Sequence, residues 1–308
     1  MQLFQRWQDL PEGARGATVA LGNFDGVHRG HAQLIRAAHA ARPDAPLAVL
    51  TFEPHPREVF RPDDPPFRLT LSAERAKLLA SLGVGLIYEV PFDLKFSHVP
   101  AETFFRQVLH QGIGARHLVC GPDFSFGFRR GGDTALLTNH AESAGIGVTL
   151  MPLVSDARGP ISASRIRREL RDGYPDRAAS LLGRPWAIGG QVTLGDRRGR
   201  TIGFPTANIA LGRHLEPARG VYAVRVRLPD GAEHAGAANI GRRPTVNTGT
   251  ESRLEVHIFG FDGDLYGVEL SVALHAYIRE EQKFPDLAAL KRQIALDAEK
   301  ARQLLTGP

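Results

Sequence analysis

Up to about residue 182, short apolar runs alternate along the sequence with segments whose apolar residues recur at helical spacing. A helix between two buried strands carries the chain back across the sheet, so the strands are expected to pair in parallel. This alternation predicts an α/β domain with a doubly wound parallel sheet, in which ligands bind at the carboxyl ends of the strands. Strands are expected at 18–21, 47–52, 86–90, 117–120 and 148–151, and helices at 31–42, 72–82, 102–111, 134–144, 164–171 and 176–182.

The pattern changes near residue 183. Gly183 is suited to end a helix, and Pro185 cannot continue one. The boundary is therefore predicted between a first domain at 1–182 and a second domain at 183–308.

The second domain reads as β-structure. Strict alternation of apolar and polar residues at 221–228 and at 254–258 is typical of half-buried strands. The Asp-Gly dipeptides at 230–231 and 262–263 are hairpin turn signals. Several short strands joined by such turns predict a small antiparallel β-barrel. Apolar residues at helical spacing then predict a terminal helix at 286–305.

Composition limits the class of protein. The chain of 308 residues has 38 Lys and Arg against 33 Asp and Glu, a net charge of +5. This charge suits anionic ligands such as nucleotides, but it also fits an ordinary solvated surface. The N-terminal residues lack the apolar region that a signal peptide contains. No apolar run approaches the length of roughly 18 residues that a membrane-spanning helix needs.

A single cysteine, Cys120, excludes an intramolecular disulfide and a cysteine zinc cluster. A reduced cytoplasmic location fits this count. We expect Cys120 to be a small buried apolar residue rather than a nucleophile.

Residues 22–31 form the first candidate site, because they follow a predicted strand and open the first predicted helix. Glycines there let the backbone approach a ligand closely, and a helix N-terminus offers N–H groups that suit phosphate. His28 and His31 share a side of the helix start, where two imidazoles are suited to stabilise charge on a phosphoryl group. A glycine-rich turn with incidental histidines and a His-x-x-His zinc site are the alternatives, although no third zinc ligand stands nearby.

The decapeptide GNFDGVHRGH at 22–31 resembles the HxGH nucleotidyltransferase superfamily. It is most similar to the N-terminal domain of the bacterial bifunctional riboflavin kinase/FAD synthetase family. Two further segments agree with that family: TFEPHP at 51–56, and ISASRIR at 161–167, where Ser164 replaces the usual threonine. In the family, the loop that matches GPDFSFG at 121–127 contacts the flavin.

This resemblance implies an FMN adenylyltransferase site in the first domain. The residues alone place hydroxyls and two arginines at a helix start within 161–167, which fits a triphosphate clamp or an N-cap followed by solvated arginines. The resemblance implies charge stabilisation in catalysis for His28, His31 and Arg167. It implies ATP binding for Gly22, Asn23, Phe24, Asp25, Gly30, Ser162 and Ser164, and flavin binding for Phe52, Pro54, Asp123 and Phe126.

Residues 195–209 form the second candidate site. Their first part is superficially similar to a P-loop, but it is one residue short, has Arg200 in place of the lysine and lies among strands, which excludes a Walker A site. Thr206 and Asn208 lie two positions apart and face the same way on an extended chain. Two neutral oxygens on one face suit Mg²⁺, although a turn with local side-chain to backbone bonds is the alternative.

GFPTAN at 203–208 resembles the GxPTAN signature of riboflavin kinases. Further segments match that family in order, so the resemblance runs from about residue 16 to residue 303: GVY at 220–222, NIGRRPT at 239–245, EVH at 255–257, DLYG at 264–267 and REEQKF at 279–284. It implies that Thr206 and Asn208 hold Mg²⁺. It implies ATP or flavin binding in the kinase domain for Gly199, Arg200, Gly203, Pro205, Arg279, Glu281 and Phe284.

Glu255 lies on the face of its predicted strand opposite Leu254 and Val256. The resemblance implies that Glu255 is the base for the riboflavin hydroxyl, a role that a carboxylate suits. An exposed strand residue paired with Arg253 or with an arginine of a neighbouring strand is the alternative.

We therefore expect a bifunctional enzyme of flavin cofactor synthesis, which phosphorylates riboflavin to FMN and then transfers AMP from ATP to FMN. The expected ligands are ATP, riboflavin, FMN and FAD with Mg²⁺, and no tightly bound redox cofactor. No nucleic acid or membrane partner is expected, and a weak homo-oligomer is left open. Two rivals remain: a nucleotidyltransferase for another phosphorylated acceptor, and a non-catalytic flavin or RNA binder. Aromatic residues are only 7% and are dense only at 124–128, which disfavours the RNA binder.

Overall fold

The computed structural model describes residues 1–194, 203–244 and 250–306. Backbone contacts divide the chain into two compact units. The first unit comprises Met1–Pro65 and Leu71–Ile161, and the second comprises Pro66–Thr70 and Ser162–Pro308. The boundary between residues 182 and 183 therefore stays a prediction, because the contacts group residues 162–182 with the second unit.

A parallel six-stranded sheet organises the first unit, with the strands in the order β1-β4-β3-β2-β5-β6. The strands are β1 Gln2–Phe4, β2 Thr18–Leu21, β3 Leu47–Glu53, β4 Leu86–Pro91, β5 His117–Cys120 and β6 Gly147–Leu150. The helices are α1 Arg29–Ala41, α2 Pro56–Phe60, α3 Ser72–Ser81, α4 Ala101–Phe104, continued as a π-helical turn at Phe105–Gly112, and α5 Thr134–Ser143. Two short antiparallel strands follow, β7 Ser155–Asp156 and β8 Gly159–Pro160. The predicted doubly wound sheet is confirmed.

The central strands are apolar throughout because both faces of the sheet are covered. Every residue of β2 is buried, and so are the first five of β3. The chain runs from β2 through β3 to β4 on one side and returns to β5 on the other side of β2. The order of strands reverses at β2 and β5, so their carboxyl ends border the crevice in which such sheets bind ligands.

A buried charge network fastens α3 to the carboxyl ends of β3 and β4. Arg75 is 1% exposed, and its Nη2 donates to Glu89 Oε1 at 2.6 Å and to Glu53 Oε2 at 3.0 Å. The hydroxyl of Ser72 also donates to Glu89 Oε1 at 2.6 Å. One arginine therefore neutralises carboxylates at the ends of two strands.

We expect Arg75→Met to destabilise the protein by about 3–5 kcal/mol, because it leaves Glu89 buried without its cation. Arg42→Met is the matched control, since Arg42 forms an exposed ion pair with Asp44 and such pairs contribute about 0–1 kcal/mol. Urea unfolding followed by circular dichroism measures both variants. Equal unfolding midpoints for the two would contradict the role given to Arg75.

The second unit contains a closed six-stranded barrel in the order β10-β13-β12-β11-β14-β9, with antiparallel pairing throughout. Its strands are β9 Trp186–Thr193, β10 Ala207–Ala210, β11 Gly220–Arg227, β12 Glu233–Pro244, β13 Thr250–Ile258 and β14 Glu269–Arg279. Its helices are α6 Ala163–Arg171, α7 Pro175–Leu182 and the C-terminal helix α8 Leu287–Thr306. The predicted antiparallel barrel and terminal helix are confirmed.

One of the two predicted hairpin turns is wrong. The dipeptide at 230–231 does join paired strands, β11 and β12. The dipeptide at 262–263 instead lies in a crossing connection, because β13 pairs with β10 and β12 whereas β14 pairs with β9 and β11. Asp-Gly favours a local turn, but barrel closure decides which strands become neighbours.

A five-residue segment from the first half of the sequence, Pro66–Thr70, belongs to the second unit. Its Arg68 forms a β-bridge with His214 and accepts a backbone hydrogen bond from Leu215 at 2.8 Å. The indole of Trp186 in β9 donates to the carbonyl of Leu69 at 2.8 Å.

Among the described residues, no helix has both the length and the apolar character needed to span a bilayer.

Candidate active sites

Two stacked histidines begin helix α1 at the carboxyl end of β2. His28 is the N-cap residue, and its Nδ1 accepts from the backbone N–H of His31 at 3.3 Å. Reciprocally, Nδ1 of His31 accepts from the backbone N–H of His28 at 3.3 Å. The two rings lie 3.6 Å apart and nearly parallel, at 14°. The predicted sharing of one side of the helix is therefore confirmed.

These contacts indicate the tautomer of each neutral imidazole. A ring nitrogen that accepts a hydrogen bond carries no proton, so in the neutral form of each ring the proton is on Nε2. Both rings therefore carry an Nε2–H group at a helix N-terminus, where the backbone also favours negative charge. This arrangement can stabilise an anionic phosphoryl group.

The loop before the helix is held in an unusual backbone conformation. Phe24 and Val27 both have positive φ, 51° and 41°, and a β-branched residue there is a genuine outlier. Such strain, typically about 1–3 kcal/mol per residue, persists only where the surroundings enforce it. Phe24 and Val27 are buried, as is Asp25 between them. A side chain at Gly30 would lie 3.1 Å from the His28 ring, so glycine there leaves room for the stacked pair.

Aromatic side chains gather at the carboxyl end of β3. The Phe52 ring lies 5.5 Å from Phe92 and 6.2 Å from Phe96 in edge-on or tilted contacts. Pro54 is the first residue after β3, and the peptide bond that precedes it is cis. The hydroxyl of Thr51 donates to the carbonyl of Asn23 at 3.0 Å, so this strand end is fastened to the histidine loop.

The loop after β5 carries the other residues predicted to contact flavin. Phe126 is buried and packs on Phe124 and Phe104, whereas Asp123 is exposed. Burial raises the pKa of the Cys120 thiol to about 12, with a smaller contribution from Asp123. Cys120 is therefore protonated at neutral pH and packs as an apolar residue, as the sequence predicts.

The start of helix α6, in the second unit, contains Ser162 and Ser164, which were predicted to bind ATP, and Arg167, which was predicted to act in catalysis. Ser162 is its N-cap, and its hydroxyl accepts from the backbone N–H of Arg165 at 3.3 Å, while Ser164 is exposed. Arg167 donates from Nε to the carbonyl of Phe67 at 2.8 Å and stacks on that ring. These contacts fix the direction of the Arg167 side chain.

Three polar side chains line up across neighbouring strands of the barrel. Asn208 on β10 pairs in register with Glu255 on β13, and Glu255 pairs in register with Asn239 on β12. Residues directly opposite on antiparallel strands have Cβ atoms about 4.5–5.5 Å apart. Leu254 and Val256 point into the barrel and are fully buried, so the three polar residues lie on its outer face. We call Asn208, Glu255 and Asn239 the polar row.

Asn208 has the properties of a metal ligand. It is 6% exposed, and its Nδ2 donates to the carbonyl of Thr206 at 3.4 Å. Its Oδ1 is buried and has no hydrogen-bond partner among the described residues. A buried carbonyl oxygen without a donor is costly unless a ligand satisfies it, and Mg²⁺ prefers such oxygens. No cluster of three or more His, Cys, Asp or Glu suited to a metal occurs in the described residues.

His257, two residues along β13 from Glu255, holds the loop before β10. Its Nδ1 donates to the carbonyl of Pro205 at 2.9 Å, and its ring contacts Phe204 edge-on at 5.4 Å. The loop that leads to Thr206 is thus attached to the strand that carries Glu255.

The segment after β14 is attached to the terminal helix. Arg279 donates from Nε and Nη2 to both carboxylate oxygens of Asp297, at 2.7–3.1 Å, and lies over the Phe284 ring at 5.7 Å. Glu281 Oε1 accepts from Asn239 Nδ2 at 3.1 Å. Residue Arg279, predicted to bind ATP or flavin, therefore has its guanidinium engaged within the protein.

Two family models match different parts of the chain. A family model described as FAD synthetase matches residues 10–165, and one described as riboflavin kinase matches residues 182–305. The bifunctional riboflavin kinase/FMN adenylyltransferase of Escherichia coli K12 is 41% identical over 297 residues, 95% of each chain. The protein of the same name from Pseudomonas fluorescens is 39% identical over 306 residues, 99% of this chain and 98% of that one.

The chain belongs to the bifunctional riboflavin kinase/FMN adenylyltransferase family. The resemblance and the class of enzyme predicted from the sequence are therefore confirmed, and flavin cofactor synthesis with ATP is the activity of this family. A crystal structure described as a macrolide-efflux protein from Streptococcus pneumoniae shares the fold, with a TM-score of 0.87, 34% identity and 98% of each chain covered. That description applies to the Streptococcus protein alone.

The structure brings together part of each residue set predicted for this family. In the first unit, the decapeptide at 22–31 and the ends of β3 and β5 meet at the crevice side of the sheet. In the second unit, Asn208 lies beside Glu255, and Thr206 and exposed Gly203 lie in the loop that leads to Asn208. Gly199 and Arg200 lie outside the described residues.

Sequence reasoning missed two groups. Asn239 belongs to the polar row, and Phe92 and Phe96 extend the aromatic group around Phe52. Asn239 does begin the segment NIGRRPT, which matches the kinase family, but only the strand register places it beside Glu255.

Proposed function

We propose that the chain makes FAD from riboflavin in two ATP-dependent steps at two separate sites. The observation that supports this is the presence of two unlike phosphate-type arrangements in two compact units: the stacked histidines at a helix start, and the polar row on the barrel. Either arrangement alone would support one step only.

In the kinase step, the Glu255 carboxylate accepts the proton of the riboflavin 5′-hydroxyl as its oxygen attacks the γ-phosphorus of ATP. ADP leaves, and FMN is the product. The half-buried position of Glu255 beside a buried amide suits a base that must be held in one direction. Thr206 Oγ1 and Asn208 Oδ1 would hold Mg²⁺, which neutralises charge on the phosphates of ATP.

In the adenylyl transfer step, a phosphate oxygen of FMN attacks the α-phosphorus of ATP, and pyrophosphate leaves. No general base is needed, because the FMN phosphate is already anionic. The Nε2–H groups of His28 and His31 would donate to the phosphoryl oxygens as charge develops on them. Arg167, with Ser162 and Ser164 at the start of its helix, would bind the triphosphate.

The remaining ligand contacts follow the family pattern. We propose that ATP in the adenylyl transfer step contacts the decapeptide at 22–31, and that flavin contacts Phe52, Pro54, Asp123 and Phe126. Around the kinase site we propose Gly203, Pro205, Glu281 and Phe284 as contacts, with Arg279 acting through Phe284. We also propose a cytoplasmic enzyme without nucleic acid or membrane partners.

Removal of the Asn208 oxygen tests the magnesium assignment. We expect Asn208→Ala to raise the Mg²⁺ concentration for half-maximal FMN formation about 10- to 100-fold, because one of two protein ligands is lost. FAD formation from supplied FMN should keep the Mg²⁺ dependence of the unaltered chain. Titration of both activities with MgCl₂ measures this, and an unchanged dependence of the kinase step would exclude Asn208 as a ligand.

Incubation with riboflavin, ATP and Mg²⁺ tests the function itself, with FMN and FAD resolved by chromatography over time. FMN should appear first and FAD afterwards, with one ADP and one pyrophosphate released per FAD. Formation of FMN without FAD would show that the chain has only the kinase activity. FAD from FMN without kinase activity would leave a nucleotidyltransferase. Salt-sensitive RNA binding without ATP turnover would favour the RNA-binding rival.

A further inference from the structure

The irregular segment 280–286 between β14 and α8 is attached near its start, through Arg279 and Glu281. Directly before the segment, Arg279 at the end of β14 forms a bidentate ion pair with buried Asp297 on α8. Nε2 of Gln293 also donates to Asp297 Oδ1 at 2.9 Å. Such planar two-point pairs fix direction as well as distance. The start of the segment is therefore held in one position.

Glu281 provides the second attachment. Its Oε1 accepts from Asn239 Nδ2 at 3.1 Å, although Glu281 itself is exposed. The carboxylate lies against the backbone of Gly241: a Cβ at that position would lie 3.1 Å from Glu281 Cδ and closer still to Oε1. The carboxylate thus occupies the space that any side chain at residue 241 would fill.

The backbone gives no other reason for glycine at this position. Gly241 is a regular strand residue paired with Arg253, and its φ is not positive. Alanine is therefore compatible with the backbone of β12. Its Cβ would conflict with the present position of the Glu281 carboxylate and would lie 3.3 Å from Asn239 Nδ2, the two groups of the contact itself.

The polar row shows on which side of Glu255 the Asn239–Glu281 contact lies. Asn208, Glu255 and Asn239 follow one another across β10, β13 and β12. The proposed metal ligand, and with it the ATP phosphates, lies on the β10 side of Glu255. The Asn239–Glu281 contact lies on the β12 side, which the proposed metal position leaves for the hydroxyl that gives its proton to Glu255.

We propose that Asn239 and Gly241 are positioning residues of the kinase site, which hold Glu281 and the segment 280–286 on the riboflavin side of Glu255. The inference rests on the proposed kinase function. Asn239 acts by its hydrogen bond and Gly241 by leaving space, and neither touches the transferred phosphoryl group. Loss of either therefore weakens riboflavin binding more than ATP binding.

Gly241→Ala tests this directly. We expect KM for riboflavin to rise about tenfold or more, as for the loss of a charge-assisted hydrogen bond, while KM for ATP and FAD formation from FMN change less than twofold. Gly13→Ala is the matched control, because a Cβ there meets no atom within 4 Å and φ is not positive. Riboflavin binding, followed by quenching of its fluorescence, gives a readout that is independent of turnover.

A double-mutant cycle separates positioning from general damage. If Gly241→Ala acts by displacing Glu281, adding it to Glu281→Ala should cause no further rise in KM for riboflavin. Glu281→Gln, with its carbonyl oxygen facing Asn239, should retain most of the affinity that Glu281→Ala loses. Asn239→Ala should raise KM for riboflavin in the same direction, by no more than Glu281→Ala does.

Three results would overturn the inference: an unchanged KM for riboflavin in Gly241→Ala, fully additive effects in the cycle, or equal rises in KM for riboflavin and for ATP. Failure of the proposed function is a different result, since the unaltered chain would then form no FMN from riboflavin.

Discussion

His31→Ala should abolish FAD formation from FMN while FMN formation from riboflavin continues at the rate of the unaltered chain. The substitution removes one of two Nε2–H donors at the start of α1, and loss of one such donor typically lowers the rate about 10²–10³-fold. It also removes the ring that stacks on His28 and the acceptor for the His28 N–H. We therefore expect the second donor to be misplaced as well. Chromatographic assays of each step separately measure the effect.

His39→Ala is the matched control for this experiment, because His39 lies in the last turn of the same helix and is exposed. Both activities should survive in that variant. Loss of both activities in folded His31→Ala would contradict two independent sites. Unchanged FAD formation would remove the histidine pair from catalysis.

Glu255→Gln should have the opposite effect. Glutamine keeps the shape of the side chain but cannot accept the proton of the riboflavin hydroxyl, so kinase turnover should fall about 10²–10⁴-fold. Adenylyl transfer to supplied FMN should be unchanged. Initial rates of ADP release with riboflavin, and of pyrophosphate release with FMN, measure the two steps.

Glu233→Gln is the control here, since Glu233 is an exposed glutamate on β12 that pairs with Arg227. It should leave both steps unaffected. If kinase turnover in Glu255→Gln matched that of Glu233→Gln, Glu255 would be a surface strand residue, the alternative that its strand position left open.

Local patterns predicted most of the fold. The apolar run Leu47–Glu53 and the amphipathic segment Arg29–Ala41 form β3 and α1 because burial on two faces and on one face leave distinct periodicities. β1 was missed because the three residues Gln2–Phe4 are too short to show any periodicity. Pro66–Thr70 was missed because its partners, residues 213–215 and Trp186, are remote in sequence.

In the candidate sites too, residues that are close in sequence could be predicted, and residues brought together by long-range pairing could not. Motifs place His28 and His31 together because both lie on one helical turn, and Thr206 and Asn208 together because they are neighbours in sequence. Asn239 reaches Glu255 only through the register between β12 and β13. The burial of Asn208 Oδ1 without a hydrogen-bond donor depends on the tertiary structure around it. Such long-range pairing leaves no periodic trace in the sequence.

Complementation between two inactive variants tests two independent sites in one chain most directly. His31→Ala and Glu255→Gln are each incubated alone with riboflavin, ATP and Mg²⁺, and then together. The account predicts FMN without FAD from His31→Ala, little of either flavin from Glu255→Gln, and FAD from the mixture, because FMN released by one chain reaches the other. Absence of FAD from the mixture, with both variants folded, would contradict it.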